Sequence, residues 1–484
     1  MSISQLNPVA LWKNFAALNA VPRPSKKEER VIAFAKAFGE SLNLPTVVDH
    51  IGNVIIKKPA TAGMEDRMTV VLQSHLDMVH QKNADTVFDF DKEGIKMYID
   101  GDWVKAEGTT LGADNGIGVA TIMALLESTD IPHPPLEALF TIDEETGMTG
   151  ALELKGGLLD ADIMLNLDTE DDDELTIGCA GGVDITATGS YTQVEVPADS
   201  VCYEVSITGL NGGHSGMDIH KGYGNANKLM NRLLVNLGSL DITVASVDGG
   251  SLRNAIPRES FATLAVAKSK SQDLQDAVST MTKIYHQEYQ TTDPNLSVEL
   301  KVISDVGKVW DKTFQKQVLR AIYAVPSGIY RMSPEIADLV QTSNNLARVE
   351  IKDGQAKILC LCRSSVDSEK TDMAIAISSA LELAGLDVVQ DGSYPGWTPA
   401  PSSEIVTIMA DLYREMFDGE PHVNACHAGL ECGILGTNYP EMDMISFGPN
   451  IRGAHSPDEK VQISSVQKYW KYLLETLKRI PVKG

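Results

Sequence analysis

His75, Asp114, Glu145, Asp168 and His455 each stand where an apolar run stops, in VVLQSHLD, LGADNG, LFTIDEE, IMLNLD and RGAHSPD. Imidazole nitrogens and carboxylate oxygens are the donors that zinc-like divalent cations take. Two histidines and three carboxylates, with further acids at Asp77 and Glu144, suffice for two divalent ions and a general base. A single His or Asp after a strand is usually a cap or a turn residue. Five such strand ends, each beside glycines or a second acid, point instead to one shared site. The chemistry that such a site serves is metal-assisted hydrolysis.

These donors need a frame that brings distant parts of the chain together. Thr69 to Gln73, Leu136 to Ile142 and Ile163 to Leu167 are short continuous apolar runs, the pattern of parallel strands buried on both faces. Helices are expected between them, over Lys26 to Leu42 behind a capping box Ser25 to Glu28, and over Asn115 to Ser128. The expected class is α/β, a mixed sheet flanked by helices. In open α/β sheets ligands bind beyond the carboxyl ends of the strands, where the candidate donors fall.

After about residue 188 the texture changes. Tyr203 to Thr208, Phe261 to Val266 and Leu296 to Ile303 read as strands, and Gly224 to Leu237 and Ser271 to Tyr289 as helices. Ala347 to Ile351 and Lys357 to Cys362 suit a hairpin around Lys352-Asp353-Gly354. Two strand-strand-helix-strand units in tandem suggest an inserted α+β domain of two lobes. His455 lies beyond this insertion, so the catalytic domain is expected to be discontinuous: residues 1–188 and 395–484, around a lid of 189–394.

The composition excludes several function classes. A net charge of −25 argues against a nucleic-acid partner, since phosphate binding is driven by Lys and Arg. It also surrounds the site with a negative field that gathers cations. No apolar stretch approaches the ~20 residues of a membrane span, and the N-terminus reads as a first helix, not a signal peptide. The six cysteines form no C-x-x-C pair, which fits a reducing cytoplasm.

Ser74-His75-Leu76-Asp77, Gly112-Ala113-Asp114-Asn115-Gly116, Asp143-Glu144-Glu145-Thr146-Gly147 and Asn166-Leu167-Asp168 follow one another, and Ala454-His455-Ser456-Pro457-Asp458-Glu459 closes the series. Their order and spacing resemble the di-zinc clan of aminoacylases, carnosine dipeptidases and glutamate carboxypeptidases. The fuller wording SHLDMV, GADNGIG, DEETGMTGA and HAGLECG resembles the bacterial aminoacyl-histidine dipeptidases, over nearly the whole chain.

That resemblance implies roles. Asp114 matches the bridging carboxylate, Glu145 and His455 the ligands of one zinc, and His75 and Asp168 those of the other. Glu144 matches the general base, and Asp77 the carboxylate that orients the His75 imidazole. Adjacent glutamates at an extended strand end point opposite ways, so one ligates while the other faces the water. His214 in Gly212-Gly213-His214-Ser215-Gly216 matches an oxyanion-stabilising imidazole, and Asn254 the second group that contacts that oxygen. Arg363 matches the clamp for the substrate's C-terminal carboxylate, and Gly429 a backbone contact to the same end; His427, nearby, has no assigned role. The resemblance also implies a cis peptide bond after Asp114.

Most of the acidic run Asp168 to Glu174 reads as a solvated loop, with Asp168 alone as a ligand. His80, His133, His220, His286 and His422 read as surface or internally satisfied histidines. The expected protein is a cytoplasmic dipeptidase with two Zn2+ per subunit, Co2+ or Mn2+ substituting, acting on Xaa-His and other carnosine-like dipeptides; a homodimer is compatible with this. The rival activities are an aminoacylase or tripeptidase on the same metal site. A rival of another class is a non-catalytic metal-dependent binding protein, which would need neither Glu144 nor Asp77.

Overall fold

The computed structural model describes residues 2–484. The chain forms two compact units, and each interrupts the other in sequence. One holds the chain up to Gly178, then Trp397–Ala425 and Leu430–Gly484; the other holds Cys179–Gly396 and Cys426–Gly429. The strand Gly181–Ser190 is hydrogen-bonded along its length within the second unit, so residues 181–188 sit there and not with the segment before them.

The first unit is built on an eight-stranded mixed sheet. Its centre is four mutually parallel strands, Leu136–Thr141, Val70–His75, Ile163–Asn166 and Asp443–Ser446. Every residue of Val70–His75, Leu136–Thr141 and Ile163–Asn166 is buried, which explains why they are largely apolar with no alternating polar face, Glu137 being the one buried acid among them. The helix Ala113–Glu127 is apolar on all sides and is an interior helix. It packs against Val70–His75 and against Val9–Asn19, which buries Leu11, Trp12, Phe15 and Leu18. Each such side chain contributes roughly 1.5–3 kcal/mol on leaving water, so the start of Ala113–Glu127 is firmly fixed.

A small four-stranded sheet joins Met97–Asp100 and Trp103–Ala106 to Lys460–Gln462 and Ile451–Arg452. The last two pair antiparallel, Ile451 with Val461 and Arg452 with Lys460. Residues 453–459, including His455, are therefore a loop closed by a paired hairpin.

The second unit has one nine-stranded sheet. The two expected strand-strand-helix-strand units are its two halves, welded where Thr243–Gly250 pairs with Val340–Lys352. Helices Ala226–Asn236, Ser271–Tyr289, Lys312–Ala324 and Asp367–Glu382 contribute to one continuous core with this sheet.

One local expectation fails. No capping box opens the second helix, which starts at Glu29 with Glu28 as its cap residue. Lys26 is left-handed at φ 70, which breaks the helical run. The Ser25 hydroxyl is engaged elsewhere, donating to Asp77 Oδ2 at 2.8 Å.

Candidate metal centre and active site

His75 closes its strand, Asp143 to Glu145 follow the strand that ends at Thr141, and Asp168 follows the one that ends at Asn166. Three parallel strands thus deliver their donors to the same end of the sheet. Asp114 arrives from the start of the interior helix, and His455 from the hairpin loop, where it is left-handed at φ 64. The peptide bond between Asp114 and Asn115 is cis.

The donors form two groups that share Asp114. His75 Nε2 lies 3.2 Å from Asp114 Oδ1 and 3.6 Å from Asp168 Oδ1. His455 Nε2 lies 3.2 Å from Asp114 Oδ2 and 2.9 Å from Glu145 Oε2. Within each trio the donor atoms lie within 4.8 Å of one another. The two oxygens of one carboxylate face two separate imidazoles, as a bridging ligand requires. Asp77 fixes the tautomer of His75: its Oδ1 is 3.4 Å and its carbonyl 3.2 Å from Nδ1. Nδ1 then carries the proton, and the Nε2 lone pair faces the cation position. Asn115 Nδ2 donates to Asp168 Oδ1 and holds that carboxylate in place.

The electrostatics fit a cation site. Burial would lower the His75 imidazole, but the Asp168 charge and the hydrogen bonds to Asp114 and Asp77 hold it well above its ordinary value. Hydrogen bonds to Asp114 and Glu145 push His455 up to about 11. Burial would raise Asp114, yet the bonds from His455 and His75 hold it well below the usual carboxylate range. The carboxylates collect positive charge from whatever is at hand, and two divalent ions would supply it directly. A third acidic trio, Glu28, Asp77 and Asp143, is already satisfied. Asp77 accepts from Ser25 and from the backbone of Glu144 and Glu145, and Asp143 pairs with Lys26.

Glu144 and Glu145 are not at an extended strand end. They open a one-turn helix, Glu144–Gly147, behind Asp143 in the left-handed region at φ 54. Their side chains diverge because successive residues turn about 100° around a helix. Glu145 reaches His455, while burial raises the Glu144 carboxyl well above the carboxylate range, with Asp168, Glu431 and Glu145 adding to it against His75.

The acidic run is not wholly a solvated loop. Burial and the Asp114 charge push Glu170 up to about 8, while Asp172 pairs with Lys468 at 2.7 Å. Three further groups escaped the sequence reading. Glu431, 1% exposed, accepts from Gln73 at 2.6 Å and Thr141 at 2.7 Å, and burial pushes it up to about 7. Arg23 and Glu459 are buried against the backbone of the ligand loops. Glu431 lies within HAGLECG and Glu459 ends the His455 motif, but neither motif marked them as buried. Arg23 stood in no motif singled out.

In the second unit, His214 and Asn254 lie on adjoining loops: Ser215 N donates to the Asn254 carbonyl at 2.7 Å, and Ile256 N to the Gly213 carbonyl at 2.9 Å. His214 Nδ1 accepts the N–H of Gly216 at 3.2 Å and of Met217 at 3.0 Å. The proton of the neutral ring is therefore on Nε2, which is left to donate. Burial, then the Arg363 charge, lowers His214 below its ordinary value and keeps it neutral. Arg363 is buried, donating to Tyr394 Oη at 2.9 Å and, through Nε, to Ser215 Oγ at 3.5 Å. His427 sits with this group, its Nε2 2.7 Å from Ser343 Oγ. Gly429 is on the half-buried loop between strand His422–Cys426 and helix Glu431–Asn438. His133 is buried, with Nδ1 2.7 Å from the Pro134 carbonyl.

Residues 71–479 match Peptidase family M20/M25/M40, and the chain belongs to that family. It is a metal-dependent peptide-bond hydrolase. Over 482 residues it is 44% identical to the cytosol non-specific dipeptidase of Escherichia coli (strain K12), which spans 99% of both chains. The crystal structure of an aminoacylhistidine dipeptidase from Vibrio alginolyticus superposes with a TM-score of 0.95 at 43% identity, over 100% of this chain and 99% of that one. The aminopeptidase PepT from Bacillus cereus ATCC 10987 shares the fold, with a TM-score of 0.58 at 15% identity, over 98% and 99% of the chains. Among the described residues no helix is long and apolar enough to cross a membrane.

Proposed function

We propose that this chain is a cytoplasmic dinuclear zinc dipeptidase that hydrolyses Xaa-His and other dipeptides. The observation that carries this reading is the carboxylate of Asp114 shared between two imidazole-carboxylate trios, with Glu144 beside the ligand Glu145. The relatives named as dipeptidases, aligned end to end with this chain, support it, and the printed name of the Escherichia coli protein supports the cytoplasm. His75, Asp168 and Asp114 would hold one ion, and Asp114, Glu145 and His455 the other, as zinc, with Co2+ or Mn2+ able to substitute. When bound, the ions polarise the scissile carbonyl and make a water nucleophilic at neutral pH.

Glu144 takes the proton of the attacking water and passes it to the leaving amine. His214, with its proton on Nε2, donates to the oxyanion, and Asn254 is the second donor. Arg363 pairs with the substrate's C-terminal carboxylate, held by Tyr394 and Ser215, and Gly429 offers backbone to the same end. A clamp on that carboxylate selects for length and favours dipeptides. The second unit, Cys179–Gly396, acts as a lid; Gly189 and Gly392 lie inside its strands Gly181–Ser190 and Asp387–Tyr394, so the hinges fall at its ends, near Cys179 and Gly396, and not at those glycines.

The test is a substrate panel of free, N-acetylated and C-terminally amidated dipeptides and longer peptides, measured before and after chelation and zinc restoration. Free dipeptides are expected to be cleaved fastest, and only with metal. Preference for acetylated amino acids or tripeptides would replace this reading with an aminoacylase or a tripeptidase.

A further inference from the structure

The bridging ligand Asp114 sits at the end of a loop whose backbone is gripped from two sides. Glu459, 2% exposed, spends both carboxylate oxygens on consecutive amides of that loop. Its Oε2 accepts the N–H of Leu111 at 2.7 Å and of Gly112 at 2.9 Å. Its Oε1 accepts the N–H of Ala113 at 2.7 Å and of Asp114 at 3.3 Å. These amides lie in the turn ahead of the regular part of the interior helix: Asp114 and Asn115 have non-helical backbone angles, so the N–H groups before them need partners from outside the helix, and the carboxylate supplies them.

Glu459 belongs to the same hairpin loop as His455, closed by the pairing of Ile451–Arg452 with Lys460–Gln462. One short segment therefore carries a metal ligand and a carboxylate that grips the loop of another ligand. From the other side Arg23, 1% exposed, donates through Nη2 to the Gly112 carbonyl at 2.5 Å. Its Nη1 donates to the carbonyls of Leu76 at 3.1 Å and Asp77 at 3.0 Å, in the segment that follows His75. Gly112, at φ 69, has no room for a side chain, since a Cβ there would lie 2.5 Å from Arg23 Nη2.

We infer that Glu459 and Arg23 are positioning residues that set the spacing of His75, Asp114 and His455, Glu459 tying the Asp114 loop to the His455 loop and Arg23 tying it to the His75 strand end. This rests on the metal-site reading above. Neither side chain contacts the candidate donors directly; both act through the backbone. A carboxylate that accepts from four amides cannot be replaced by an amide of the same shape, because the NH2 group would face two N–H donors.

The experiment is zinc affinity by competition with a chromophoric chelator on the full-length protein, together with the thermal midpoint of the metal-free form and kcat and KM for a dipeptide. Glu459→Gln should weaken zinc binding about 10- to 100-fold, the range for groups that orient metal ligands, and should lower kcat with KM little changed. The matched control is Glu137→Gln. Glu137 is also buried, accepting from Asp160 N at 3.0 Å and lying 2.7 Å from Lys57, but it is remote from the donors in bonding. It should lower the thermal midpoint and leave zinc affinity unchanged. Arg23→Lys, which keeps the charge but cannot reach both segments, serves if Glu459→Gln does not fold, and should weaken zinc binding in the same sense. Zinc affinity at the wild-type level in a folded Glu459→Gln or Arg23→Lys protein, or an equal loss in Glu137→Gln, overturns the inference. Absence of dipeptide hydrolysis in the wild type would count against the proposed function alone, because the zinc titration is read without substrate.

Discussion

Asp77 Oδ1 lies 3.4 Å from His75 Nδ1 while the same carboxylate accepts the backbone N–H of Glu144 at 3.0 Å. One buried acid thus sets the tautomer of a candidate ligand and the position of the candidate base. Asp77→Ala frees the imidazole and releases the Glu144 turn together. Zinc affinity should fall about 10- to 100-fold, and turnover at saturating zinc should stay below wild type. Full recovery of turnover on adding zinc would show that Asp77 serves only the ligand.

Glu144→Gln should keep the metal content of the wild type and lose about 10²- to 10⁴-fold in kcat, the range for removing a general base. Metal analysis beside steady-state kinetics checks this. A variant that turns over at the wild-type rate would move the base to another residue.

His214→Ala should leave metal content unchanged and lower kcat by about 10²- to 10³-fold, as for loss of one oxyanion donor. Arg363→Ala should mainly raise KM, because it removes a partner of a carboxylate already charged in the ground state. It should also narrow the difference between free and C-terminally amidated dipeptides. If that difference persists in Arg363→Ala, the carboxylate clamp is elsewhere.

Chelation should abolish hydrolysis and lower the thermal midpoint without unfolding the chain, since both units have extensive cores of buried apolar side chains that need no ion. Binding to the native state alone stabilises by about 4 kcal/mol at a thousandfold excess over Kd. Calorimetry with and without zinc measures this, and an unchanged midpoint would mean that no tight site exists.

Burial, then the Arg363 charge, lowers the His427 imidazole from 6.5 to about 3. The unfolded chain therefore binds a proton that the folded chain refuses. The contribution of neutral His427 to stability is present above 6.5 and is lost as pH falls from 6.5 towards 3. His427→Gln, which can still bond Ser343, should flatten that acid limb of the denaturation midpoint. An identical slope in both proteins would assign the acid limb to other groups.

The α/β class, the buried parallel strands and the strand-end places of the candidate donors His75, Glu145 and Asp168 were legible because each follows from local pattern, whereas Asp114 and His455 stand at a helix start and in a hairpin loop, not at the strand ends expected of them. A strand buried on both faces must be a continuous apolar run, and a donor at its carboxyl end must interrupt that run. His214 was legible in its glycine-rich turn, but the proton on Nε2 was not, since it depends on which amides the folded loop aims at Nδ1. The Ser25 capping box misled because the same hydroxyl could bond its own helix or Asp77, and only tertiary contact decided between them. The joining of two sheet halves was likewise invisible, because strand pairing between Thr243–Gly250 and Val340–Lys352 leaves no local mark. Glu170, Glu431, Glu459 and Arg23 look like any surface charge in sequence. Charged side chains are ordinarily solvated, and what buries these is the convergence of segments from about fifty to several hundred residues apart, which the sequence of one segment does not record.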